Sequence, residues 1–137
     1  MSKILVADIM TKSVVTVDIS QTVSDISKII TEKNIRHIPV MENGKIIGMV
    51  SKSDYQRLTY NTYTTDQEAT DELLSEIFKL EDLMCANPYT VTSNTNLIEA
   101  IEIFTTHEFH ALPVVDNEQL IGIISTTDIL RLFAQRL

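Results

Sequence analysis

The sequence predicts an α/β fold of two β-α-β-β-α repeats packed sheet to sheet with pseudo-twofold symmetry. Three observations carry this expectation. Offset by 74 residues, the chain lies on itself without a gap from Val6 to Leu58. Within each copy, runs of strand character alternate with apolar residues at helical spacing. And one copy, at about 55 residues, is too small to cover both faces of its own sheet, which favours two copies around one shared core.

The repeat is dense, with 15 of 53 aligned positions identical. Asp8, Met10, Thr16, Val17, Pro39, Val40, Gly48, Ser51, Asp54 and Arg57 recur as Asp82, Met84, Thr90, Val91, Pro113, Val114, Gly122, Ser125, Asp128 and Arg131. Each copy opens on a short β run, VVTV at 14–17 in the first. A helix follows, with Val23, Ile26, Ile29 and Ile30 on one face, matched by Leu97, Ala100, Ile101 and Phe104. IPVM and KIIGMVS form a hairpin whose Asn43-Gly44 is a strong turn signal, whereas Asn117-Glu118 is a weaker one. KIIGMV is apolar on both faces, as in a strand buried from both sides. A last helix begins near Ser53. The expected domains are 1–58, a partly helical connection at 59–79, and 80–137. In the connection, Thr65 and Glu68 have capping-box spacing ahead of Ala69, Leu73, Leu74, Ile77 and Phe78.

Composition narrows the function. A net charge of −8 argues against duplex nucleic acid and anionic membrane surfaces. Residues 1–58 are net +2, 59–79 net −4 and 80–137 net −6. No apolar run is long enough for a membrane helix, no signal peptide is evident, and Cys85 has no partner for an internal disulfide, so a cytoplasmic setting is expected. The three histidines, His37, His107 and His110, fit no metal or nucleophile motif, and three glycines allow no phosphate-cradling loop. No catalytic residue, metal ligand or required cofactor is expected. Cys85 reads as structural or incidental.

Each copy closes on Ser-x-x-Asp, at Ser51/Asp54 and Ser125/Asp128. This is a helix start, with Ser as cap and Asp in the positive first turn. A strand running into a helix N-terminus also presents backbone N–H groups to an anion, and an adjacent Asp can accept from vicinal hydroxyls. Both readings stand together.

VADIMTKSVVTV, IRHIPVMENGKIIGMVSKSD and FHALPVVDNEQLIGIISTTD resemble the CBS domain, the family named after cystathionine β-synthase. The likeness spans nearly the whole chain outside 59–79. The second copy departs at Cys85, at Pro88-Tyr89 and at the hairpin glycine. The resemblance implies a tandem pair that binds adenine nucleotides or S-adenosylmethionine in clefts between its repeats. It sets Val15, Thr16 and Val17 beside the adenine and Ile38 and Pro39 as a wall. Asp54 would hold the ribose, Ser51 would lie near ribose or phosphate, and Arg36 and His37 would be within reach of phosphates. The second set is Tyr89, Thr90, Val91, His110, Leu112, Pro113, Ser125, Thr126 and Asp128. Thr16 and Thr90 can also be plain strand residues, though the site reading is favoured for them, and Arg36-His37 can equally be a solvated helix exit.

The copies differ in charge. Lys12, Arg36, His37, Lys52 and Arg57 correspond to Ala86, His110, Ala111, Thr126 and Arg131. The Asp54 cleft is therefore expected to tolerate phosphates better. The function expected is a non-catalytic regulatory module signalling to an unknown effector protein, with a ligand-free dimerisation or interaction scaffold as the alternative. The surplus of apolar residues in the last helix, Ile129, Leu130, Leu132, Phe133 and Leu137, suggests a homodimer.

Overall fold

The computed structural model describes residues 3–60 and 67–137. In chain order the elements are α1 (Val6–Ile9), β1 (Val17–Asp18), α2 (Val23–Lys33), β2 (His37–Glu42), β3 (Lys45–Ser51), α3 (Lys52–Tyr60) and α4 (Gln67–Ile77). Then follow α5 (Leu80–Leu83), β4 (Cys85–Ala86), α6 (Leu97–Thr106), β5 (Ala111–Asp116), β6 (Gln119–Ser125) and α7 (Thr126–Arg136). The fold is mixed α/β with two repeats, as the sequence predicts. Thr65, the first residue of the expected capping box, lies outside the described residues.

The chain divides into two compact units, and they do not coincide with the sequence repeat. One is Val15–Asn87; the other joins the segment up to Val14 to Pro88–Leu137. The opening segment of each copy therefore belongs to the unit that holds the other copy's hairpin.

In the Val15–Asn87 unit the sheet order is β1-β2-β3-β4. β1 runs parallel to β2, and β3 is antiparallel to both of its neighbours. The expected strand VVTV shrinks to Val17–Asp18, because only β2 pairs with it. Cys85 is exposed on the edge strand, opposite Met49. α2 starts at a capping box in which the Thr22 and Asp25 side chains each accept from the other's backbone N–H. It stops at Asn34, which takes the left-handed conformation a C-cap favours. Its inner face buries Val23, Ile26 and Ile30 in a cluster with Val17, Ile38, Val40, Val50, Tyr55, Leu74 and Leu80. In β3 the three successive residues Gly48, Met49 and Val50 are buried, which fits a strand covered on both faces.

The connection contributes α4 to this unit. Thr70, Asp71 and Leu74 are buried on it. The Tyr55 hydroxyl donates to the Asp71 carboxylate and lies 2.9 Å from Ser27 Oγ, tying α3, α2 and α4 together. Burial, then the bond to Asp71, pushes the Tyr55 phenol up to about 12.

The other unit repeats the plan. β5 and β6 form a hairpin, with Val91 bridging Val114 in parallel on one side and Thr11 bridging Ile123 antiparallel on the other. Both hairpins carry the same bulge, after Val40 and after Val114. The opening segment is anchored by Val6 N donating to Thr95 O (2.9 Å) and Leu97 N to Ile4 O (2.8 Å). Val6 is fully buried in a cluster with Val91, Leu97, Ala100, Leu112, Val114, Ile124 and Ile129.

The buried residues form two clusters, one in each unit. Each hairpin's core is completed by a residue from the other copy's opening segment, Leu80 in one case and Val6 in the other.

Candidate nucleotide site

Register brings the candidate residues of each repeat to one end of its hairpin. Val17 lies opposite Val40 in parallel, and His37 lies opposite Ser51 antiparallel. The starts of β1 and β2 and the end of β3 therefore share one edge of the sheet. Val15-Thr16, Arg36–Pro39 and Ser51–Asp54 gather there. In the other unit Val91 N donates to Pro113 O (3.1 Å), and Ala111 lies opposite Ser125. A further bond joins strand entry to helix start in both: Lys52 N to Arg36 O (2.7 Å) and Thr126 N to His110 O (2.9 Å).

The Ser-Asp pair is a helix cap in both copies. Ser51 N donates to Asp54 Oδ2 (2.9 Å), and Asp54 N donates to Ser51 Oγ (3.0 Å). Ser125 N donates to Asp128 Oδ2 (2.9 Å), and Asp128 N to Ser125 Oγ (3.2 Å). The copies differ at the other carboxylate oxygen. Arg57 pairs with Asp54 Oδ1, whereas Asp128 Oδ1 takes no hydrogen bond or ion pair among the described residues, Arg131 included.

Exposure sorts the rest. Thr16, Thr90, Arg36, His110 and Tyr89 are exposed, and Val15, His37, Ser51, Asp54, Ser125, Thr126 and Asp128 are half-buried. The side chains of Val17, Ile38, Val91 and Leu112 lie in the core clusters, so a ligand can meet these residues through their backbone. Pro39 and Pro113 are buried in β2 and β5. The charge contrast needs one correction. Lys12 follows Thr11, which pairs with Ile123, so Lys12 belongs to the unit that holds Asp128, and Ala86 to the unit that holds Asp54. The contrast now rests on Arg36, His37 and Lys52 against His110, Ala111 and Thr126, and Lys12 counts on the Asp128 side.

Sequence reasoning left His107 without a role and did not single out Phe109. In the structure both join Tyr89 in a ring cluster. His107 stacks on Phe109 at 5.0 Å between centroids, and Tyr89 lies 5.4 Å from His107 and 6.1 Å from Phe109. The close grouping HEFH at 107–110 was the available signal. A separate pocket of about 280 Å³, lined by Ile19, Gln21, Thr22, Ser75, Phe78 and Lys79 among others, contains none of the expected site residues. Among the described residues no cluster of His, Cys, Asp and Glu is placed to hold a metal ion, and no helix is long and apolar enough to cross a membrane.

These two matching ends, each a β-strand entry, a hairpin edge and a capped helix start, define a tandem α/β repeat module. The family model for the CBS domain matches residues 6–58 and 80–135, and the chain belongs to that family. It is 35% identical over 127 residues to uncharacterized protein MJ0188 of Methanocaldococcus jannaschii, covering 92% of this chain and 43% of that protein. The chain thus spans less than half of that relative. Among solved structures it resembles the CBS-pair protein CBSX2 of Arabidopsis thaliana in complex with AMP, with 29% identity, TM-score 0.77, and 96% and 97% of the two chains covered. It also resembles the CBS domain pair of protein MJ0100 in complex with 5'-methylthioadenosine and S-adenosyl-L-methionine, with 25% identity, TM-score 0.76, and 95% and 99% covered.

Proposed function

We propose that this chain is a non-catalytic regulatory module that binds an adenine nucleotide or adenosyl ligand and conveys its occupancy to an effector protein. The observation that carries the reading is the recurrence, in both units, of three segments at one sheet edge around a capped helix N-terminus. Backbone groups at Val15–Val17 and Tyr89–Val91 would read the adenine edge. Asp54 and Asp128 would accept from the ribose hydroxyls, and Arg36, His37 and Lys52 would meet phosphate. AMP in the CBSX2 structure and the adenosyl ligands in the MJ0100 structure support the ligand class. A cytoplasmic setting and a homodimer go with this reading. Leu130 and Phe133 of α7, with Leu137 just after it, are exposed and offer a self-complementary apolar stripe.

A thermal-shift panel of AMP, ADP, ATP and S-adenosylmethionine tests it. A one-site ligand at a hundred times its Kd stabilises by about 2.7 kcal/mol, a rise of several degrees in Tm for a chain of this size. A flat response to all four would favour the second reading, a ligand-free scaffold. That reading has its own observation: Asp54 is already satisfied by Ser51 and Arg57.

A further inference from the structure

The Tyr89–His107–Phe109 ring cluster is confined to one repeat. The aligned residues of the first copy are Val15, Lys33 and Ile35, which place no ring there and add a cation. The cluster flanks the candidate residues directly. Tyr89 precedes Thr90-Val91, which enters the sheet beside β5. Phe109 precedes His110, whose carbonyl accepts from Thr126 N at the start of α7. Tyr89 is 53% exposed, so the cluster is open to a ligand.

Charge at the same end differs in the same sense. Lys33, Arg36, His37 and Lys52 of the first copy correspond to His107, His110, Ala111 and Thr126, so three formal cations are lost at these positions, and Lys12, which belongs to the second repeat's unit, restores one. Glu108 lies within the ring-bearing loop, and Asp128 keeps one carboxylate oxygen unpaired among the described residues. Aromatic faces carry negative potential and attract a cation placed over them. An end with rings and few cations suits a positive ligand, whereas phosphate suits the Arg36–Lys52 end.

We propose that the Tyr89–His107–Phe109 cluster makes the second repeat selective for a sulfonium-bearing adenosyl ligand over its uncharged thioether counterpart and over nucleotides. The inference rests on the ligand-binding reading above and names the ligand class of one of its two sites.

Calorimetric titration of the full chain carrying Asp54→Ala, which leaves the second repeat's residues intact, tests it. The probes are S-adenosylmethionine, S-adenosylhomocysteine and AMP. S-adenosylmethionine should bind about fivefold or more tighter than S-adenosylhomocysteine, the range a cation over aromatic faces supplies, with AMP weakest. Tyr89→Val and His107→Lys, each installing the first repeat's residue, should bring that ratio close to one. His107 is exposed, so its variant reads the ratio even if Tyr89→Val folds poorly. A ratio of one or below in the Asp54→Ala chain, or a ratio unchanged in both variants, overturns the inference. Binding of all three probes without a charge preference removes this inference alone and leaves the ligand-binding reading standing. No binding of any probe, by the Asp54→Ala chain or by the unaltered chain, removes both.

Discussion

At Tyr55 a phenol, a carboxylate and a hydroxyl from three helices are buried together, and the grouping fixes a sign for pH dependence. The folded phenol ionises only near 12, against the ordinary 10 that the unfolded chain keeps. Stability is therefore whole below pH 10 and falls as pH climbs from there through about 12. Denaturant midpoints at about pH 9 and about pH 11 should show that fall, and Tyr55→Phe should flatten it. The same variant should cost about 1–3 kcal/mol at neutral pH, because buried Asp71 loses a donor. Gly122 sets a second residue-scale test. A Cβ there would lie 2.9 Å from the Thr11 backbone oxygen and 2.8 Å from Met10 Sδ, whereas at Gly48 the nearest atoms all belong to the flexible Met84 side chain. Gly122→Ala should cost about 1–3 kcal/mol by chemical denaturation, and more than Gly48→Ala. The sequence showed both glycines as recurring positions, but their purpose needed the edge segments that approach them.

Among the elements, the hairpins compare one turn with two chemistries. Asn43-Gly44 and Asn117-Glu118 both adopt positive φ, and Glu118 does so at φ 64 without the freedom of Gly44. Glu118→Gly should stabilise the protein by about 0.5–1 kcal/mol, read as a raised denaturation midpoint, since a left-handed non-glycine residue carries strain. No gain would mean that the interaction Glu118 makes outweighs that strain. The helices α2 and α6 and both hairpins were legible in the sequence because their signals are local: apolar spacing, caps and turn residues. The opening β run read as four residues and formed two, since pairing on a single edge leaves no mark on the run itself. The ring cluster escaped notice because Tyr89 and His107 are 18 positions apart. Only pairing of their neighbours with β5 brings them together.

For the molecule as a whole, the exchange of opening segments is the feature that local signals could not disclose. The 74-residue offset marks the repeat but not which hairpin each opening segment completes. Truncation tests it. Val6→Ala should speed amide exchange in β5, β6 and α7, whereas Leu80→Ala should do so in β2 and β3. Each should cost about 2–4 kcal/mol, as buried aliphatic truncations do. Acceleration in the hairpin of the same sequence copy instead would refute the exchange.

The exchange also orders assembly in time. On the ribosome, Val15–Asn87 holds all of its own core residues once Asn87 has emerged. The Ile4–Met10 segment does not, because Val6 packs among residues running from Val91 to Ile129. At about 5–20 residues per second, that segment waits many seconds for its partners. During synthesis the earlier-made segment is thus an unhoused apolar strip beside a finished neighbour, and the closing of the second unit is what removes it from reach of chaperones and other chains.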